Sequence, residues 1–268
     1  MELVSVVIPT RNSSSTISAC IESVKNQSYS HIEIIVVDTN STDGTIKLCE
    51  MNNVLVVKSE WQMLGSRSIG ISKSSGKYVL MLDSDQFLEP SCVENLIILM
   101  EEYDMICLEE KTLNARTIIQ KMYDADRKLI HENADLQLDP IHGVLVPRFY
   151  RRTILEKVFG AIPKEIIPFA TGIEDKIVYY EAFKLSNKVT VLPNALCHDE
   201  PEGLVQVWRK NRRYGKSDRQ LARTGHYSSL LSNQLRLRKS RGISKKRIVS
   251  SVLLLLKAPA YLVGFYLG

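Results

Sequence analysis

The sequence predicts an α/β fold with a mostly parallel, Rossmann-like sheet flanked by helices. Three observations carry that prediction. Short apolar runs recur at residues 4–9, 32–37, 54–57 and 78–82. Segments of helical pattern separate them, as expected for parallel strands joined by crossover helices. The runs are continuous rather than alternating, which suits strands buried on both faces. Hydrophobic residues make up 44% and charged residues 24% of the 268, enough apolar material for one large core.

Each element follows from local chemistry. After the first run, Ser13-Ser14-Ser15-Thr16 offers caps to a helix over 17–24. The second run ends at Asp38, and Ser41-Thr42-Asp43-Gly44 makes a turn into a short helix over 45–51. Residues 64–73 read as a helix. The fourth run stops abruptly at Asp83-Ser84-Asp85, and a helix over 92–101 follows. Further strands are expected at 105–108, 144–146 and 189–192, and helices at 115–131, 151–158 and 175–185. A loop with Pro163, Pro168 and Gly172 precedes the last helix. No internal repeat or low-complexity linker interrupts the pattern.

Right-handed crossovers place Pro9-Thr10, Asp38 and Asp83–Asp85 along one sheet edge. Open α/β sheets bind ligands beyond the carboxyl ends of their strands. Two carboxylates there suit a hard cation, and the cation suits a phosphate. The plainer alternative is a strand ending in a polar turn.

Five cysteines form no CxxC pair, so they read as reduced, mostly buried thiols in a cytosolic compartment, without zinc-ligand spacing. No signal-peptide pattern opens the chain. The net charge of +5 conceals a split. Residues 209–247 carry fourteen Lys or Arg against Asp218 alone, a surplus of +13. Such a block, expected to be helical, points to an anionic partner: phospholipid, nucleic acid or phosphate. Residues 248–268 are almost wholly apolar, broken by Ser250-Ser251, Lys257 and Pro259. They could just span a bilayer, lie in its interface, or pack as a core helix. The organisation read from this is a catalytic domain over 1–208, a basic helical segment over 209–247 and an apolar membrane-associated helix over 248–268.

The ordered polar clusters resemble those of family 2 glycosyltransferases, which use the nucleotide-sugar-binding GT-A fold. Val4-Ser5-Val6-Val7-Ile8-Pro9-Thr10-Arg11-Asn12 is similar to the family's opening strand and loop. Glu33–Asp38 followed by Thr39-Asn40-Ser41-Thr42-Asp43-Gly44-Thr45 is similar to its second strand and turn. Gly65-Ser66-Arg67-Ser68-Ile69-Gly70 matches the helix before the Asp-x-Asp strand, and Gly172-Ile173-Glu174-Asp175 matches the later Glu-Asp motif. The likeness covers about residues 3–215.

The resemblance implies roles. Pro9, Thr10 and Asn12 would line the base and ribose, and Asp38 would accept a base N–H; its alternative is to cap the following turn. Arg67 would sit near the diphosphate, where a guanidinium fork suits phosphate oxygens; its alternative is a surface arginine. Asp83 and Ser84 would contact the donor. Asp85 would bind Mg2+ or Mn2+, with Gln86 and His198 assisting. Gln86 stands where the family often has another acid, and the alternative for His198 is a structural role. Asp175 would be the general base of an inverting transfer, and Glu174 would contact acceptor or sugar; the alternative is an acidic helix-start pair. In the basic helix, Trp208 would pack and Arg212 or Arg213 would reach phosphate.

The implied function is sugar transfer from a nucleotide-diphospho-sugar to a lipid-linked or glycan acceptor at the cytoplasmic membrane face. Nucleic acid is not an expected partner, and a homo-oligomer is compatible with the sequence. A sugar nucleotidyltransferase is the rival enzyme, but residues 9–15 lack its glycine-rich phosphate loop. A basic lipid- or nucleic-acid-binding module would explain residues 209–247 but not the clusters before them.

Overall fold

The computed structural model describes residues 1–235 and 237–268. The apolar runs become strands separated by helices: β1 (Val4–Thr10), α1 (Ile17–Lys25), β2 (Ile32–Asp38), α2 (Thr45–Met51), β3 (Leu55–Lys58), α3 (Met63–Lys73) and β4 (Tyr78–Met81). The chain continues through β5 (Gln86–Leu88), α4 (Cys92–Leu99), β6 (Met105–Thr112), α5 (Ile118–Glu132), β7 (Phe149–Arg151), α6 (Arg152–Ala161), α7 (Glu174–Phe183) and β8 (Val189–His198). It ends in α8 (Leu204–Thr224), α9 (Ser228–Leu231) and α10 (Lys245–Leu267).

The sheet order is β3-β2-β1-β4-β7-β6-β8-β5. The first four strands run parallel, and their register sets Thr10 beside Asp38. β7 then runs antiparallel between β4 and β6, β8 lies parallel to β6, and β5 closes the edge antiparallel to β8. The sheet is therefore mixed beyond β4. Its two faces hold separate cores: Val4, Val6 and Ile8 of β1 face one, and Val7 faces the other. The strand is buried along its whole length, which is why its sequence does not alternate.

Helix α3 lies unusually close to β1. A Cβ at Gly70 would fall 2.2 Å from Val7 Cγ1, so only glycine permits this approach. Arg67, three residues earlier on the same helical face, is carried into the interior and has no exposed surface.

Several expectations are corrected. Residues 144–146 are not a strand; Leu145 N–H instead donates to Gln137 O, and the strand begins after Pro147, at the fully buried Phe149-Tyr150. The segment after Leu192, expected as a loop, continues β8 to His198. A register shift against β6 and the left-handed Asn194 (φ 50°) mark a bulge there. The helix expected from 115 starts at Ile118, because Thr117 and Gln120 form a capping box. Trp208 does not pack away; it is 43% exposed. The basic segment is not one helix, since α8 stops at the left-handed Gly225. Cys20, Cys49, Cys92 and Cys107 are free and buried, and Cys197 is partly so.

The terminal helix divides into two stripes at heptad-like spacing. Ser250, Leu253, Ala260 and Gly264 are buried against the protein, and Lys257 on the same stripe lies 4.1 Å from the Tyr123 ring centre in α5. Val252, Leu255, Leu262 and Tyr266 face outward, Leu255 at 70% exposure. The helix is thus docked on one side only. Two glycines make the docking close: a Cβ on Gly215 of α8 would lie 2.0 Å from Tyr261 O, and one on Gly264 would lie 2.0 Å from Arg212 O. Tyr261 Oη also donates to Asp218 Oδ2 at 2.8 Å. Gly215→Val should push the two helices apart, costing about 1–3 kcal/mol and exposing α10 to protease. Urea denaturation and limited proteolysis check this; an unchanged midpoint and cleavage pattern would refute the close-packing account.

Candidate active site

The carboxyl ends of β1, β2 and β4 are laced together by short polar side chains. Asp38 is buried, and its carboxylate accepts from Ser41 N–H at 2.9 Å and from Ser41 Oγ. The turn-capping alternative is therefore realised in this structure. Asn12 adopts the left-handed region (φ 51°), donates its N–H to Ser41 Oγ and accepts from Thr42 N–H, both at 2.8 Å. Ser13 Oγ and Ser84 Oγ share a hydrogen bond of 2.8 Å. Pro9 lies beside Val37, and Thr10 Oγ1 is buried without a hydrogen-bond partner among the described residues. These residues form one rim, as expected from their strand-end positions.

At the centre of the edge, two carboxylates and two guanidiniums form a closed ring. Arg67 Nη2 lies 2.9 Å from Asp83 Oδ1 and 3.0 Å from Asp175 Oδ1. Opposite it, Arg148 Nη2 lies 3.0 Å from Asp83 Oδ2, and Arg148 Nη1 lies 2.9 Å from Asp175 Oδ2. Arg67 comes from α3, Asp83 from the end of β4, Asp175 from the first turn of α7 and Arg148 from the residue before β7. Burial opposes ionisation of Asp83, yet Arg148 and Arg67 outweigh it and hold its carboxyl below the usual range. Glu174 is also buried, but its Oε2 has no hydrogen-bond partner among the described residues. Burial, then the Asp175 charge, push Glu174 up to about 7. The α7 start is held in place by Gly172, whose left-handed φ of 89° lets its backbone press on the Tyr214 ring; a Cβ there would come within 2.5 Å.

A second network adjoins the ring. His198, at the end of β8, points Nε2 toward Asp85 Oδ2 at 3.3 Å, and its Nδ1 lies 3.0 Å from Glu110 Oε2. Arg127 of α5 reaches Glu110, Glu200 and His198 Nδ1 together. Burial works against charging His198, but the Asp85 carboxylate overcomes it and raises the imidazole to about 9. Lys210 of α8 is held protonated, first by Tyr214 and further by Asp85 and Glu200. This places Lys210 near the acids, whereas Arg212 and Arg213, the expected phosphate contacts, are exposed.

Gln86 is fully buried and turned inward. Its Oε1 accepts Asp83 N–H at 3.0 Å, and Gln86 N–H donates to Asp83 O at 3.0 Å. The side chain braces the Asp83 turn, and its oxygen is not aimed at Asp85. No group of three or more His, Cys, Asp or Glu forms a self-sufficient metal cage among the described residues. Asp85 and His198 could supply two ligands. The imidazole is backed on the far nitrogen by Glu110, the carboxylate support common behind metal-bound histidines. A carboxylate with an imidazole is a donor set that fits a divalent ion.

Reasoning from sequence did not find Arg148, Glu110, Arg127, Glu200 or Lys210. Arg148 was hidden by placing a strand at 144–146; the signal was the break at Pro147 before the apolar pair Phe149-Tyr150. Glu110 and Arg127 carried no local signal, because their pairing depends on α5 folding back across β6.

Comparison with known proteins agrees with this geometry. The family model described as "Glycosyl transferase family 2" matches residues 5–159. TarS of Staphylococcus aureus strain MW2, a poly(ribitol-phosphate) beta-N-acetylglucosaminyltransferase, is 26% identical over 199 residues, covering 70% of this chain and 34% of TarS. WfaP of Escherichia coli, a UDP-Glc:alpha-D-GlcNAc-diphosphoundecaprenol beta-1,3-glucosyltransferase, is 35% identical over 106 residues, covering 38% of this chain and 42% of WfaP. The chain thus spans about a third to two-fifths of the length of these relatives. Among solved structures, the mannosyltransferase PcManGT of Pyrobaculum calidifontis, in complex with GDP-Man and Mn2+, superposes with a TM-score of 0.63 at 14% identity, covering 99% of this chain and 87% of that one.

The Glu174 environment has a measurable consequence for stability. Its folded value near 7 lies above the ordinary 4.5, so between those limits the folded chain holds a proton that the unfolded chain has released. This contribution is full below about pH 4.5 and is lost as pH rises through about 7. Glu174→Gln should therefore match wild type at acid pH and exceed it by about 2–3 kcal/mol at pH 8. Urea unfolding across that range decides it; parallel pH curves for the two proteins would contradict the assignment.

Proposed function

The chain belongs to glycosyltransferase family 2, with the GT-A fold, and we propose that it transfers a sugar from a nucleoside diphosphate to an acceptor hydroxyl with inversion. The observation that carries this reading is the buried ring that joins Asp83, on the donor side, to Asp175, on the acceptor side, through Arg67 and Arg148.

In the proposed reaction Asp175 is the general base. The acceptor oxygen forms a bond to the sugar C1 as the bond from C1 to the diphosphate oxygen breaks. The nucleoside diphosphate leaves with that electron pair, and the acceptor proton passes to the Asp175 carboxylate. Arg67, already the hub of both carboxylates, is fully buried, so it would favour the diphosphate through its charge and not by direct contact. The strand-end rim of Pro9, Thr10, Asn12, Asp38 and Ser84 receives the nucleoside. Asp85 and His198 would hold Mg2+ or Mn2+, with Gln86 bracing the turn. Such an ion, when bound, would offset the negative charge that develops on the leaving diphosphate. The PcManGT complex with Mn2+ supports that assignment. A second reading makes Glu174 the base, favoured by its value near neutrality, where a general base works best.

We further propose a lipid-linked acceptor, approached from the cytoplasmic face of a membrane. WfaP acts on a diphosphoundecaprenol-linked sugar, and α10 presents an apolar outer stripe just after the basic segment. α10 is the one helix among the described residues long and apolar enough to cross a membrane. Its buried stripe, with Lys257 and Ser250, favours lying on the surface while docked to α8 and α5.

Three experiments test these readings. Thermal-shift screening of UDP- and GDP-sugars with and without Mn2+ should find a metal-dependent donor; Asp85→Ala should lose that dependence. Asp175→Asn should keep donor stabilisation and lose transfer by at least a thousandfold. Full transfer by Asp175→Asn together with its loss in Glu174→Gln would move the base to Glu174. For the membrane, Leu255→Asp with Leu262→Asp should lower co-sedimentation with phosphatidylglycerol vesicles by about tenfold or more, each charge opposing burial of an apolar side chain. Equal sedimentation of variant and wild type would rule out the stripe as the contact.

A further inference from the structure

Arg148 is fixed before any ligand arrives. Its N–H donates to Ile106 O of β6 at 3.0 Å, and its carbonyl accepts Met81 N–H of β4 at 2.8 Å. The backbone is thereby clamped between two strands, and the side chain is only 10% exposed. Nη1 lies against Asp175 and Nη2 against Asp83, with Glu110 Oε1 4.0 Å beyond. Neither its Nε nor its Nη1 has a hydrogen-bond partner among the described residues, so its contacts within the ring are ion pairs.

Such a placement is hard to explain by stability. A buried ion-pair cluster is often no better for folding than well-packed apolar side chains of similar volume. The ring instead solves an electrostatic problem at the reacting edge. Asp175 shares its surroundings with two other acids, Asp83 from the end of β4 and Glu174 from its own helix. Arg67 supplies one cation to this group. Arg148 supplies the second from the opposite side, within ion-pair distance of both Asp83 and Asp175.

We propose that Arg148 is a positioning residue for the transfer reaction: it orients the Asp175 carboxylate and couples it to the Asp83 turn that receives the donor. This rests on Asp175 being the base. The coupling has a direct mechanical form, because the same guanidinium touches both carboxylates. A shift of Asp83 on donor binding is felt at Asp175 through one rigid plane.

The test is the kinetics of sugar transfer by Arg148 variants. In Arg148→Gln kcat should fall by about tenfold or more while the donor KM stays within about threefold, because the base is misplaced and the donor rim is intact. Arg148→Lys, which keeps the charge without the planar fork, should recover only part of that loss. A merely structural role would lower the urea midpoint and leave kcat of the folded protein unchanged. Wild-type kcat in folded Arg148→Gln overturns the proposal. Should that variant not fold, Arg148→Met offers a neutral side chain of similar length. In addition, the guanidinium N–H exchange of Arg148 in Asp175→Asn reports the pairing directly: faster exchange supports it, and unchanged exchange refutes it. If Asp175→Asn retains transfer, the base assignment fails while the exchange result still stands, so the two failures are separable.

Discussion

The ring of Asp83, Asp175, Arg67 and Arg148 is the constraint on which the site depends. Each member comes from a different element, so the ring forms only when all four are in register. Its net charge is zero, which lets four ionised groups share a site that is almost dry. Removing one member leaves an unpaired charge in a place that water reaches poorly, a situation folded proteins tolerate badly. Much of the surrounding packing can be understood as what this arrangement requires. Gly70 permits α3 to sink Arg67 beneath the surface, Gly172 turns the chain so that α7 begins at the ring, and Gln86 braces the turn that presents Asp83.

The sheet topology explains why the ring spans two halves of the molecule. The parallel half, β3-β2-β1-β4, ends in the loops that would take the nucleoside. The mixed half, β7-β6-β8-β5, supplies Arg148, Glu110 and His198. The halves meet at the β4–β7 pairing, and Arg148 sits directly at that seam. Donor chemistry and acceptor chemistry are therefore joined by a residue whose own backbone is pinned to both.

The parallel half was legible in the sequence because it obeys local rules. Strands buried on both faces read as continuous apolar runs, and their ends are marked by acids and turn residues, so Asp38 and Asp83 could be placed by position; Asp175, at the start of α7, was singled out only by the resemblance to family 2 glycosyltransferases. The mixed half was not legible. β5 and β7 have three residues each, too few to show a period, and the bulge at Asn194 disguised the end of β8 as a loop. Arg148, Glu110 and Arg127 look like ordinary charged residues until tertiary structure pairs them. The same limit applies to Gln86: sequence position suggested a ligand, whereas its buried amide holds the backbone of Asp83. Asp38 shows the reverse case, with its carboxylate occupied by the turn that sequence offered as the alternative.

The docked terminal helix gives the acidic and basic parts of the chain a common logic. α8 touches both the site and α10: Lys210 and Tyr214 face the acids, while Gly215, one residue after Tyr214, receives Tyr261 O of α10. A helix seated on lipid by its outer stripe would hold α8, and through it the Gly172 loop and Asp175, at a defined height above the surface. An acceptor hydroxyl carried on a lipid headgroup lies at a fixed height as well. The close glycine packing then matters for catalysis and not only for folding, because slack between α8 and α10 would become uncertainty in the distance between base and acceptor. A misplacement of an ångström at that point is enough to cost much of the rate. Rigid docking on one side of α10 and free apolar surface on the other are the two properties such a ruler needs.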